Sequence, residues 1–232
     1  MKKSIIILAL LSIISLAKAQ SLKGTTWSYQ ELIERSSEKL FIKIYFTFVS
    51  DIDVLWLYGT PEGTFFPVGL GRLDSSNNTI LFSCKNHLHK NISLYRNNTD
   101  YKFQYIYKNG ILKIKYIGNS IDLFPYNIFK NLEFNEFKKE DKSLIPNSKL
   151  AKTSWSYKYN DKSGYIYFAS KYVAYFNGEK VPYVCVGDIV SIKSGDNITD
   201  ESLIGMYNTN KISLYRTGTE GLTDICIIIK KQ

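Results

Sequence analysis

Cys84, His87 and His89 fall within six residues, in the stretch SCKNHLHK, and His87 and His89 are the chain's two histidines. Thiolate and imidazole are ligands for zinc or copper. On a strand the two imidazoles would share one face and Cys84 would project from the other, because side chains alternate with a period of two. A closed structural zinc site takes four ligands and this stretch supplies three. The reading is therefore no metal site and no cofactor, with Cys84, His87 and His89 the nearest approach to one.

Nucleophilic catalysis needs a base held by a third group, and both histidines sit in that one segment. No Gly-x-Ser-x-Gly phrase is present. The stretch GLGR at 69–72 lacks the third glycine and following helix of a phosphate cradle, so it reads as a glycine-tolerant bend in a strand. Asp51, Asp53 and Glu62 are carboxylates that one end of a barrel could gather for glycosidase chemistry; as strand-end residues they read as solvated turn groups. No catalytic residue is assigned, and the chain is expected not to be an enzyme. Trp56, Tyr58, Phe65 and Phe66 flank the Pro61-Glu62-Gly63 turn. Such rings either stack on a sugar or fill a core, and core filling is the stronger expectation.

These residues need elements to hold them, and the composition is that of strands. The chain holds 18 Tyr and 13 Phe, residues that suit a pleated, half-buried surface. Turn signals recur at Asn109-Gly110, Asn177-Gly178 and Ser194-Gly195. Asn109-Gly110 joins YKFQYIYK to ILKIKYIG, with Phe103, Tyr105 and Tyr107 alternating before it and Leu112, Ile114 and Tyr116 after it. That pattern predicts a hairpin with one face in a core.

The chain also repeats itself. TTWSY around Trp27 returns as TSWSY around Trp155, 128 residues on, and YFTFVS (45–50) returns as YIYFAS (165–170), 120 residues on. The first copy therefore carries about eight extra residues in its first connection, QELIERSSEKLFIK. VLWLYG (54–59) matches VAYFNG (173–178), which pairs Trp56 with Tyr175, and FFPVGLG (65–71) resembles KVPYVCVG (180–187). KISLYR (211–216) has two partners: NISLYR (91–96), or KNGILKIKY (108–116) with its preceding turn. In the second copy, strands are expected at 152–158, 163–169, 172–177, 181–187, 189–193, 203–207, 211–216 and 224–230. Short connections make neighbours antiparallel, and a long meander closes to remove its edges. One small barrel per copy is the first expectation, and a single barrel shared by both copies is the second.

The chain opens MKKSIIILALLSIISLAKAQ: two lysines, an apolar run and Ala17-Lys18-Ala19 before Gln20. This reads as a secretory signal cut after Ala19, so the expected location is secreted or periplasmic with no membrane span after cleavage. Removing Lys2, Lys3 and Lys18 lowers the net charge from +9 to +6. The lysines look scattered rather than gathered into a stripe, so nucleic acid is not an expected partner. Cys84, Cys185 and Cys226 make an odd number in apolar surroundings. Buried free thiols are the default, and a Cys185–Cys226 bridge is open.

The tryptophan phrase near the first strand, followed by a meander of aromatic strands, resembles the lipocalin-like (calycin) domains of secreted bacterial proteins, over Gly24 to about Phe124 and Lys152 to Lys230. The usual Gly-x-Trp becomes Gly24-Thr25-Thr26-Trp27 in the first copy, and the second has no glycine there. The resemblance implies an up-and-down barrel whose first-strand tryptophan closes one end, and implies no catalytic residues. The expected organisation is a signal at 1–19, a first barrel at 20–125, a linker at 126–149 and a second barrel at 150–232. A short helix through Ile128, Phe129 and Leu132 is expected in the linker. The expected function is non-catalytic binding of a small apolar ligand or of a cell-envelope or extracellular macromolecule. The alternatives are a structural envelope protein with filled barrels, or a carbohydrate-active or carbohydrate-binding protein.

Overall fold

The computed structural model describes residues 21–35, 38–59, 65–83, 88, 100–118, 133–159, 162–193, 202–218 and 221–231. They form 16 strands. The first eight are β1 (Thr25–Arg35), β2 (Glu38–Phe48), β3 (Asp53–Gly59), β4 (Phe65–Asp74), β5 (Thr79–Phe82), β6 (Tyr101–Lys108), β7 (Ile111–Tyr116) and β8 (Asn135–Lys139). The second eight are β9 (Thr153–Tyr159), β10 (Lys162–Phe168), β11 (Val173–Phe176), β12 (Glu179–Val186), β13 (Ile189–Lys193), β14 (Ser202–Asn208), β15 (Lys211–Gly218) and β16 (Gly221–Lys231). Each set is an antiparallel meander closed into a barrel, by β1 on β8 and by β9 on β16. One barrel per copy is thus the architecture, and every expected strand of the second copy is present.

The repeat is a repeat of register. Trp27 pairs with Phe46, and Trp155 pairs with Ile166. Both strands of the first hairpin hold 11 residues, against seven in the second copy. The eight extra residues therefore lengthen one hairpin symmetrically. Asn109-Gly110 and Asn177-Gly178 all have positive φ, as tight two-residue hairpins require.

Two of the sequence matches shift. Phe48 faces Val54 while Phe168 faces Ala174, so Trp56 corresponds to Phe176 and not to Tyr175. The apparent Val–Gly match slipped the strand by one, which exchanges its faces. Pro67 faces Leu57 and Pro182 faces Val173, so these prolines occupy opposite ends of their hairpins. Of the two registers for KISLYR, the hairpin one holds, since β7 and β15 are each the seventh strand of their barrels. The segment 91–96 lies outside the described residues.

The first barrel also runs past residue 125. Asn135–Lys139 is its eighth strand, inside the stretch expected as a linker. NEFKK places only Phe137 in the core, so it reads as a charged connection. The expected helix at Ile128, Phe129 and Leu132, and the signal segment, lie outside the described residues.

The segment after β8 docks along both barrels. Glu140 N–H donates to the Thr26 carbonyl at 2.9 Å, and Leu144 N–H donates to Thr26 Oγ1 at 2.8 Å. Pro146 bridges to Val186, and Asn147 N–H donates to the Cys185 carbonyl at 2.8 Å. Leu144 joins Tyr45, Leu55, Leu57, Leu88, Val184 and Val186 in a third apolar core between the barrels. Ser191 Oγ, fully buried, reaches the Pro67 carbonyl of the first barrel at 3.4 Å.

Candidate functional site

A barrel of eight strands is just wide enough for its own side chains to fill it or for one small ligand to occupy it. Here the described inward side chains pack against one another across the interior. In the first barrel Phe46 lies 5.2 Å from Phe103, 5.5 Å from Phe137, 5.6 Å from Phe82 and 5.8 Å from Trp56, centroid to centroid. Trp56 in turn meets Tyr101 at 5.7 Å and Tyr58 at 5.8 Å. Trp56 and Tyr58 are thus core residues, while Phe65 packs on the inter-barrel core. Gly71 makes room for this packing, since a Cβ there would meet the Phe82 ring at 2.7 Å. In the second barrel Phe168 and Tyr183 stand 4.6 Å apart and Tyr157 and Phe176 5.2 Å apart.

Each repeated tryptophan closes its barrel in the same way. Trp27 Nε1 donates to Thr25 Oγ1 at 2.8 Å, and Trp155 Nε1 donates to Thr153 Oγ1 at 2.7 Å. The tryptophans meet Tyr107 and Tyr207 edge to face, at 5.7 and 6.0 Å. Leu22 and Leu150 complete the two plugs.

Cys84, His87, His89 and Glu62 lie outside the described residues. Among the described residues no group of histidine, cysteine, aspartate and glutamate is arranged to hold a metal. Asp53 accepts from Arg72 Nη1 at 2.8 Å and from Ser50 Oγ at 3.0 Å, and Asp51 pairs with Lys23 at 3.5 Å. These carboxylates stabilise strand ends. Cys185 is a buried free thiol, so the Cys185–Cys226 bridge is not formed. Burial pushes that thiol up to about 11.

One cluster escaped the sequence reading. Ser28, Glu140 and Lys43 meet on the outer wall of the first barrel, in an open groove of about 380 Å³. Ser28 Oγ donates to Glu140 Oε1, and Lys43 Nζ lies 2.8 Å from the same oxygen. A serine, a carboxylate and an amine suggest a nucleophile with its base, but the electrostatics oppose it. Burial lowers the Lys43 ammonium, yet Glu140 and Tyr45 together outweigh it and the net shift is upward. Burial raises Glu140, yet hydrogen bonds from Lys43 and Ser28 outweigh that and hold it below the ordinary carboxylate range. Lysine stays charged and glutamate is a weakened base, so the trio ties β1, β2 and the connecting segment together. A second open groove, of about 670 Å³, runs past Lys149, Asp188, Met206, Asn208 and Lys211. Its Lys149–Asp188 pair, at 2.8 Å, fastens the connecting segment to the turn after β12.

Two outer faces stand out. On β10 and β11 the outward phase presents Tyr165, Tyr167 and Tyr175, exposed to 62%, 43% and 38%. Tyr167 and Tyr175 are direct cross-strand partners, with rings parallel to within 18° and centroids 6.5 Å apart. Ser154 faces Tyr167 from β9 and Lys180 faces Tyr175 from β12, so a serine, two tyrosines and a lysine cross four strands in one row. On the first barrel, the β6–β7 hairpin gathers Lys102, Lys108, Lys113 and Lys115 on its outward phase, among exposed Ile106 and Ile111. Lysines that look scattered along the chain are brought together by the pairing of two alternating strands.

No protein-family model matches the chain, and no curated protein and no solved structure matches it. No helix among the described residues is long and apolar enough to cross a membrane, which says nothing of strands.

Proposed function

We propose that this chain is a secreted, non-catalytic binding protein of lipocalin-like build whose ligand is an extracellular or cell-envelope macromolecule, held on the outside of the barrels. The observation that carries the reading is the packing of both interiors. The cage of Phe46, Trp56, Phe82, Phe103 and Phe137 occupies the space where a hollow barrel receives an apolar ligand. A pocket for such a ligand spans about 300–1,000 Å³ with apolar walls, whereas the two grooves described above are open and carry charged groups, Lys43 and Glu140 in one and Lys149 and Asp188 in the other. The Lys43–Glu140 ion pair with Ser28 bound to the same carboxylate supports a tethering role for that cluster. The signal-like first residues support export.

Titration of the intact chain with a long-chain fatty acid and with an environment-sensitive apolar dye tests the reading. No saturable one-to-one uptake is expected. Stoichiometric uptake that quenches the buried tryptophans would place the ligand inside and overturn the proposal.

A further inference from the structure

From the outward face of β9–β12 we infer a polysaccharide-binding site in which Tyr165, Tyr167 and Tyr175 stack on sugar rings. The inference rests on the reading of an outer-surface binding protein and names its ligand class.

The internal repeat shows that this face is special. The register makes Tyr45, Thr47 and Leu55 the first-barrel counterparts of Tyr165, Tyr167 and Tyr175. All three counterparts are buried, with Tyr45 and Leu55 in the core shared with the second barrel. The same wall is an internal seam in one barrel and an open aromatic surface in the other. Where the chain packs barrel on barrel, Tyr45 is surrounded by aliphatic residues, among them Leu55, Leu57, Leu144, Val184 and Val186, with Phe65 and Tyr172 at the border. On the open wall all three positions are tyrosine, whose apolar ring and polar hydroxyl suit a wet, alternately filled surface.

A second copy of the chain is the first occupant to consider, by continuing the barrel-on-barrel pattern. The register argues against it. The first-barrel counterpart of Val184, which packs into the seam, is Asp74, an exposed carboxylate at the end of β4. A copy docked in that way would set the Asp74 carboxylate, in place of Val184, against the next open wall.

The chemistry of the face fits a sugar polymer. Tyr167 and Tyr175 lie nearly parallel as an offset pair with centroids 6.5 Å apart, and they remain 43% and 38% exposed, so the pair offers ring surface to solvent. The electron-rich face of an aromatic ring attracts the polarised C–H groups of a pyranose. Ser154, Ser156 and Ser163 border the rings with hydroxyls, each able to donate and accept. Among the described residues the charged groups on this phase are Lys158 and Lys180, with no carboxylate among them, so acidic sugars are admitted. Single-stranded nucleic acid also stacks on rings, but it is tracked by a dense cationic groove, and here the phosphate-matching charge is two lysines at the margins.

Affinity electrophoresis through gels containing laminarin, xylan, dextran or alginate, with pull-down on cellulose, chitin and peptidoglycan, tests the inference on the intact chain. At least one of these should retain the protein. Replacing all three tyrosines by threonine keeps strand propensity and should weaken retention by about tenfold or more per ring lost. Replacing all three by phenylalanine should preserve it, and Ile106→Thr on the other barrel should leave it unchanged. Retention equal in the threonine variant would overturn the site while leaving outer-surface binding intact. No retention by any of these polysaccharides would overturn it, as would an oligo(dT) complex or a dimer that the threonine variant abolishes. Fatty-acid uptake inside a barrel would instead defeat the reading beneath it.

Discussion

The threonine two residues before each tryptophan has two tasks. Thr25 and Thr153 accept the indole N–H, and their own hydroxyls donate back to the carbonyls of Leu22 and Leu150. Between leucine and threonine the chain turns through positive φ, at Gly24 (78°) and at Lys152 (63°). Glycine bears that conformation freely and lysine does not. Lys152→Gly should therefore stabilise the protein by about 0.5–1 kcal/mol, and Gly24→Ala should destabilise it by about 1 kcal/mol or more, in urea unfolding. Opposite signs at these equivalent positions are the expected outcome; equal signs would show that the repeated turn is not the same device. Cys185 offers a second check. Its buried thiol, raised to about 11, should resist a thiol reagent at pH 8 in the native protein and react fully in denaturant. A Cys185 thiol unreactive in non-reducing denaturant would reveal a disulfide.

At the scale of elements, turns and strand pairs were legible because they rest on local chemistry. Asn-Gly fixes a turn, and alternation in YKFQYIYK or ILKIKY fixes a face. The lengthened first hairpin could be read from two offsets. β8 could not, because one core phenylalanine among four polar residues leaves no period to detect. The inter-barrel seam has a trace in the sequence. VLWLY is apolar at every position, the mark of a strand buried on both faces. The tyrosine face stayed hidden because YIYF is aromatic or aliphatic in both phases, and only the closed sheet reveals which phase meets water. The acid sensitivity of these elements also follows from placement. Asp74 accepts from Ser76 and Asn77 in the β4–β5 turn, and these bonds hold its carboxyl down at about 2. Glu140 is lowered too, since Lys43 and Ser28 outweigh its burial. A depressed folded-state value contributes stability above the unfolded value of about 4, and that contribution is lost as pH falls through the folded value. Unfolding free energy should therefore decline from about pH 4 towards pH 2. Asp74→Asn and Glu140→Gln should each flatten that decline; an unchanged slope in both would show that neither contact orders its element.

For the whole molecule, the consequence is coupling. Two filled barrels share a third core, and the connecting segment lies in it through Leu144. Calorimetry should show a single transition for the intact chain. Val184→Asp buries a charge in the seam and should split that transition in two, since an unpaired buried charge costs several kcal/mol. Two transitions in the unaltered chain would mean that the barrels melt independently. The central claim is that both barrels are solid scaffolds and that recognition takes place on their outer walls. The most direct test is a crystal of the intact protein pressurised with xenon, which enters dry apolar cavities. No xenon is predicted inside either barrel. A xenon site among Phe46, Trp56 and Phe103, or between Phe168 and Tyr183, would contradict the claim.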